Sequence, residues 1–376
     1  MKQIWNILLL AVVLLCSCGG KNTAPQEQGD TISLQYARHL TLIKYDGYTL
    51  ANLTDPWRQG KLLHQYALVP QGKKGDALVS TLEAKKYTVV RTPVKRSIVF
   101  TTTHCSLLTD LGAQQAITGV CDLKYINIPW IQKAVKARRL ADCGDGMNAD
   151  VEKIIDAKPQ VLLLSPFENS GGYGKLEEIH IPLIECAEYM ETSSLGRAEW
   201  MKFYGLLYGK EKEANTLFAA IVHEYQRLKA LAMSTKKRPV VITERKTGSV
   251  WYVPGGGSTT AATIKDAGGQ YAFADNKSQG SLSLSFEKVL DKAGQADIWF
   301  FKYNDHPANM QELLAEYHGY SQLKAFQNRQ VFGANCTVVP FFEESGFHPE
   351  YVLRDMIIIL HPELKIGTLK YYHRLK

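Results

Sequence analysis

Val151-Glu152-Lys153-Ile154-Ile155-Asp156, followed by Pro159 and the run Val161-Leu162-Leu163-Leu164, has a counterpart in the second half of the chain. There, Phe286-Glu287-Lys288-Val289-Leu290-Asp291 precedes Asp297 and Ile298-Trp299-Phe300-Phe301. Each copy reads as Glu-Lys, two aliphatics and Asp on a short helix feeding a buried strand, and recurrence of such a unit marks a chain built from similar halves. Two like lobes facing one another would hold Glu152 and Glu287 at equivalent positions.

Working outward, each copy sits in a stretch where strands and helices alternate. Ile98-Val99-Phe100-Thr101, a helical segment near Ser106 to Leu111, and Ala116 to Val120 surround the first; Val240-Val241-Ile242-Thr243 opens the stretch holding the second. Strands spaced by helices argue for parallel sheets. Between them Leu217, Phe218, Ile221, Val222, Tyr225, Leu228 and Leu231 recur at spacings of three and four, the stripe of an amphipathic helix. A continuous helix from Glu211 to Met233 would be about 35 Å long at 1.5 Å per residue; it either links two lobes or is a core helix inside one. Ahead of all this, Thr31 to Arg91 alternates β-prone runs such as Leu40 to Ile43 and Tyr66 to Val69 with the turn formers Asp46-Gly47 and Gly72 to Gly75, and reads as a β-rich extension.

A chain of 376 residues exceeds what one hydrophobic core usually serves. Met1-Lys2, the apolar run Ile7 to Leu15 and then Cys16-Ser17-Cys18 have the layout of an export signal, with a run too short to span a bilayer. Cys18 is the candidate acylated terminus, and Gly19 to Asp30 is a small, polar tether. An ordinary signal peptide with two cysteines is the alternative. The expected division is signal peptide 1–17, tether 18–30, extension 31–95, first lobe 96–195, helical connection 196–236 and second lobe 237–376. Removing residues 1–17, whose one charge is Lys2, takes the formal balance from +7 to +6. That mild excess, without a block of like charges, is no nucleic-acid footprint. Five cysteines follow the leader, Cys105, Cys121, Cys143, Cys186 and Cys336, with no CxxC pair and no assignable disulfide.

Glu152 and Glu287 fall in the first turns of their helices, after Asn148 or Asp150 and after Ser285 as N-caps. The helix dipole alone accounts for an acid there, by about 0.3 to 1 kcal/mol; as a repeated pair they also make two prongs for a symmetric partner. Trp251-Tyr252-Val253-Pro254-Gly255-Gly256-Gly257-Ser258 sets aromatics beside glycines that permit close backbone approach, so it is a ligand wall or a packed loop. It is neither a phosphate loop nor a dinucleotide fingerprint. Other strand-end loops, where open α/β sheets bind ligands, carry Tyr125 and Trp130, Phe167 and Tyr173, Arg245, Tyr303, and Phe341-Phe342-Glu343. Together they favour a broad, flat, partly apolar ligand. His104 and His306 either approach across a cleft or are ordinary polar histidines; no HExxH or GxSxG occurs, so neither zinc catalysis nor a serine hydrolase is signalled.

The chain resembles the substrate-binding proteins of ABC importers for iron-siderophores, haem and vitamin B12, the helix-linked periplasmic binding proteins. The resemblance covers Arg96 to about Leu364. It rests on Val151-Glu152-Lys153 through Lys158-Pro159-Gln160-Val161-Leu162, Ser194-Leu195-Gly196-Arg197-Ala198-Glu199-Trp200, Trp251 to Gly257, His348-Pro349-Glu350 and Leu360-His361-Pro362-Glu363-Leu364. Ala293-Gly294-Gln295-Ala296-Asp297 departs from the commoner Lys-Pro-Asp. The resemblance implies an α/β fold of two Rossmann-like lobes on a long backbone helix, with the N-terminal β-rich extension an addition seen in some members. It implies ligand contacts around His104, Tyr125, Phe167, Trp251 and Phe341, and docking of Glu152 and Glu287 on arginines of the permease dimer.

The function expected is capture of a metal chelate, iron-siderophore or haem first and cobalamin next, by a monomeric lipoprotein held to a membrane in the periplasm through Cys18. Delivery is to an inner-membrane ABC permease and its ATPase. No enzyme activity, cofactor, metal or nucleic acid is expected. Direct zinc or manganese binding through His104 and His306, and a two-domain envelope hydrolase, are the competing readings.

Overall fold

The computed structural model of the chain describes residues 29–168 and 172–376. The leader and Cys18 lie outside the described residues. Among those described, no helix is long and apolar enough to cross a membrane.

Three five-stranded sheets and a three-stranded one organise the chain. The first has the order β1 (Asp30–Ile32), β2 (Leu40–Tyr45), β3 (Tyr48–Thr54), β4 (Leu62–Pro70) and β5 (Thr88–Thr92), antiparallel up to β4 and parallel between β4 and β5. In the first lobe β6 (Ser97–Val99), β7 (Ile117–Val120), β8 (Ala141–Asp142), β11 (Val161–Leu164) and β12 (Leu183–Glu185) form a parallel sheet ordered β12-β11-β6-β7-β8, beside the small hairpin of β9 (Gly144–Asp145) and β10 (Asn148–Ala149). Every residue of β6 and β11 is buried, which is why β11 reads as an unbroken apolar run and β6 is apolar after Ser97, with no alternation in either.

The second lobe repeats the plan. Its sheet runs β16 (Gln270–Tyr271), β13 (Val240–Thr243), β18 (Ile298–Tyr303), β19 (Val331–Asn335), β20 (His373–Arg374), parallel except at β20. An antiparallel ribbon of β14 (Lys246–Thr247), β15 (Val250–Pro254) and β17 (Ser281–Leu284) lies alongside. The repeated helices are Val151–Asp156 and Phe286–Ala293. Each feeds a strand, β11 or β18, that pairs in parallel with the first strand of its own sheet, β6 or β13.

A continuous helix, Glu211–Met233, joins the two. Its buried stripe is Ala214, Phe218, Ile221, Tyr225, Leu228 and Ala232, with Leu217 and Val222 packed at the margin. It packs on the helices Met201–Tyr208 and Pro349–Leu360, one from each side of the junction.

The N-terminal sheet is fastened to this frame by two buried carboxylates. Glu199 accepts from the backbone N–H groups of Gln35, Tyr36 and Ala37, and Glu191 from those of Arg38 and His39 and from the Trp200 indole. Tyr66, on β4, donates its hydroxyl to the carbonyl of Leu183 and accepts the N–H of Glu185, both on β12. Burial holds the Tyr66 phenol far above the usual tyrosine value, so it stays a donor. Leu40, Leu42, Leu53, Tyr66, Leu68 and Val90 consequently belong to the same apolar core as both lobes.

Candidate functional site

The carboxyl ends of the two parallel sheets meet at one seam. Glu343, buried at the start of the second lobe's contact, accepts from the Thr102 hydroxyl at 3.0 Å and from the Asn127 N–H at 2.9 Å, both on the first lobe. The Thr103 hydroxyl donates to the Phe342 carbonyl at 2.7 Å and the Asn127 amide to the Thr337 carbonyl at 3.1 Å. Deeper in, His348 lies 3.2 Å from Asp110 across the same seam, with its other ring nitrogen 2.9 Å from Glu350. Ser194 and Thr263 share a hydrogen bond, and Thr259 donates to the Glu191 carbonyl. Glu343 thus ties the lobes instead of presenting a free acid.

Exposed rings flank this seam. Tyr125 is 64% exposed, two residues from Asn127, with the Lys124 ammonium 4.7 Å above its ring. Phe342 is 47% exposed, beside Glu343. Tyr252 is exposed on the antiparallel ribbon. Phe167 and Tyr173 open on a cavity of about 920 Å³ between the N-terminal sheet and the first lobe.

Several residues expected as contacts are placed in the interior. Trp251 is fully buried among Trp299, Tyr320 and Phe286, and its indole N–H donates to the Thr243 carbonyl. Tyr303 and Phe341 are buried, and Trp130 leans inward with its indole on the Thr109 hydroxyl. Arg245 pairs with Glu316 at 2.6 Å. The glycine triplet does permit close approach, but of its own chain: a Cβ on Gly255 would stand 2.2 Å from the Ser278 carbonyl oxygen and one on Gly256 2.3 Å from that of Asn276. Glu152 and Glu287 are exposed in the first turns of their helices, after Asp150 and Ser285 whose side chains accept the N–H of Lys153 and Lys288.

His104 and His306 are not brought together. His306 is largely exposed and bonds Glu312 at 2.9 Å. His104 is buried with Cys186 and Glu188, one possible metal-ligand atom from each lying within 4.8 Å of the others. Here the groups satisfy one another: His104 Nε2 is 3.2 Å from Glu188 and 2.9 Å from the Tyr204 hydroxyl, which donates to Glu188 at 3.0 Å. Burial alone would depress His104, yet Cys186 and Glu188 outweigh it and raise the imidazole to about 10. Burial likewise opposes ionisation of Glu188, and His104 with Arg197 overcomes it. The result is an internal ion pair, closed over by Phe347 of the second lobe at 5.8 Å from the His104 ring. Sequence spacing gave no sign of this group, since Tyr204 lies 100 residues from His104.

A family model described as periplasmic binding protein matches residues 98–335. An uncharacterized lipoprotein of Methanocaldococcus jannaschii is 28% identical over 372 residues, spanning 93% of this chain and 87% of its own. A periplasmic binding protein from Veillonella parvula superposes with a TM-score of 0.59 at 14% identity, covering 90% of this chain and 98% of that one. A periplasmic heme binding protein from Pseudomonas aeruginosa gives a TM-score of 0.58 at 13% identity, covering 75% and 98%. At such identities the two structures speak for the fold.

Proposed function

The chain belongs to the periplasmic binding protein family, the solute-binding components of ABC transporters, and on that premise we propose that it captures a metal chelate between its lobes. An iron-siderophore or haem is the first candidate and cobalamin the second. The observation that carries this reading is the seam itself: two parallel sheets present their carboxyl ends to each other, and Tyr125 and Phe342 stand exposed on either side of the Asn127–Glu343 link. Flat apolar rings beside a polar tie suit a broad chelate with a polar rim. The heme-binding neighbour and the lipoprotein relative support the ligand class and the anchor respectively.

In this proposal Cys18 carries the lipid that holds the protein at a membrane in the periplasm. Glu152 and Glu287 are the two prongs that engage an ABC permease dimer, and the protein works as a monomer. Binding energy that draws the lobes together is transmitted by one stiff helix, so closure is a small rotation and not a wide swing.

Isothermal titration with a ferric hydroxamate, a ferric catecholate, haem and cobalamin tests the claim. One of them should bind at micromolar concentration or tighter, and Tyr125→Ala with Phe342→Ala should weaken it about tenfold or more, the cost of losing central aromatic contacts. Silence with all four ligands removes the chelate assignment.

A further inference from the structure

We propose that the cavity between the N-terminal sheet and the first lobe is a second binding site, distinct from the inter-lobe seam, and that it takes an organic cation with an apolar body. At about 920 Å³ it is within the range of small-molecule sites, roughly 300–1,000 Å³. Its walls come from segments far apart in sequence. Trp57 and Tyr87 belong to the N-terminal sheet and its loops; Phe167 and Tyr173 follow β11. Four aromatic rings offer electron-rich faces, the surface on which quaternary and protonated amines are held.

The charge around these rings selects the sign of the guest. Glu83, Glu168 and Glu177 stand exposed on the lining. The one guanidinium there, Arg58, is neutralised by Asp55 at 2.7 Å. An anionic chelate or a haem propionate would meet three exposed carboxylates and an arginine whose charge Asp55 already balances, whereas an ammonium would meet both acids and rings. The cavity therefore sorts its ligand by charge in a way that the inter-lobe seam, with Lys124 over Tyr125, does not.

The floor is fixed in advance. Glu185 is buried, with one oxygen 3.0 Å from His64 Nδ1 and the other accepting the Tyr173 hydroxyl at 2.8 Å. His64 Nε2 lies 2.7 Å from the Thr88 hydroxyl, and its ring stacks on Tyr66 at 4.3 Å. The Tyr173 N–H in turn donates to Glu177 at 2.6 Å, which orients that acid at the rim. Holding Tyr173 at both its hydroxyl and its backbone spares the ligand the cost of ordering the wall. The network needs both the extension, which supplies His64 and Thr88, and the first lobe, which supplies Tyr173 and Glu185; a chain without the N-terminal sheet has no such site.

The test is isothermal titration of the full mature chain with tetraethylammonium, with spermidine and, as the anionic control, with hexanoate. At least one cation should bind with unit stoichiometry at submillimolar concentration, and hexanoate should not. Trp57→Ala should lower cation affinity at least tenfold, and Glu168→Gln with Glu177→Gln should lower it and flatten its dependence on salt. Because Glu168 and Glu177 are exposed, this double variant folds even if Trp57→Ala does not. Phe342→Ala, at the seam, should leave cation binding as it was. The proposal is overturned if neither cation binds, if hexanoate binds as well as they do, if the double variant binds unchanged, or if Phe342→Ala abolishes the cation heat. The chelate titrations are read separately, so either assignment can fail alone.

Discussion

Glu199→Gln preserves the shape of a buried side chain and exchanges one acceptor oxygen for a donor. In the native structure one oxygen takes the Gln35 N–H at 3.0 Å and the Lys202 ammonium at 2.8 Å, while the other takes Tyr36 at 2.7 Å and Ala37 at 3.0 Å. Whichever way the amide turns, its NH2 faces at least one backbone N–H. A hydrogen bond to a charged group contributes about 1.5–3 kcal/mol, and a buried donor left without an acceptor costs about 1–3 kcal/mol. The loss expected from the substitution is therefore about 2–4 kcal/mol. Urea unfolding at pH 7 measures it, and hydrogen exchange at residues 35–37 shows where protection is lost. The pH dependence has a definite sign. Burial disfavours the Glu199 carboxylate, but Lys202 and the three backbone donors overcome that and hold it below the usual glutamate range. Its contribution is fully present above the usual glutamate range and is lost as pH falls below that range and through the depressed native value. Wild type and variant should thus converge in acid. A difference below about 0.5 kcal/mol, the level of an ordinary surface substitution, or one that is unaltered in acid, would refute the role of Glu199 as the fastening of the N-terminal sheet.

Three further outcomes follow from other parts of the frame. His348 is depressed by burial but raised overall to about 9 by Asp110 and Glu350, so its stabilisation is complete below the unfolded value of about 6.5 and is lost as pH rises through about 9. The melting-temperature gap between wild type and His348→Gln should accordingly be widest near neutral-to-acid pH and close in alkali; a constant gap contradicts the cross-lobe ion pair. Glu152→Ala combined with Glu287→Ala should keep chelate affinity while abolishing stimulation of the transporter ATPase, and full stimulation by the double variant would end the docking proposal. Trp251→Ala removes a core ring and should cost about 3–5 kcal/mol in denaturant unfolding; a loss under 1 kcal/mol would mean that the ring is not part of the core.

What could be read from the sequence was what is local. Val161–Leu164 announces itself because a strand covered on both faces has no polar residue to interrupt it, and Val240-Val241-Ile242 reads almost as plainly. Glu211–Met233 announces itself because its stripe never breaks period. The repeated Glu152 and Glu287 helices needed only comparison of one half with the other. Burial of particular aromatics was not legible, because Trp251 looks the same on paper whether a ligand or Trp299 lies against it. The glycine triplet reads equally as a ligand wall or a packed loop, and in the structure the 276–280 loop lies against it. Phe167 and Tyr173 stood out as strand-end aromatics, but the cavity they line did not, because residues near 57 and 87 become their neighbours only when the first sheet docks.

That docking has one more consequence. β12 ends its sheet, with β11 its sole neighbour, so its outward amides and carbonyls would otherwise be an open template for a foreign strand. The phenol of Tyr66 occupies two of those positions at once, acting as both donor and acceptor. A shortened chain lacking the first 95 residues loses that phenol, leaves both positions open and should self-associate laterally along β12. The segment doubles as a guard against polymerisation.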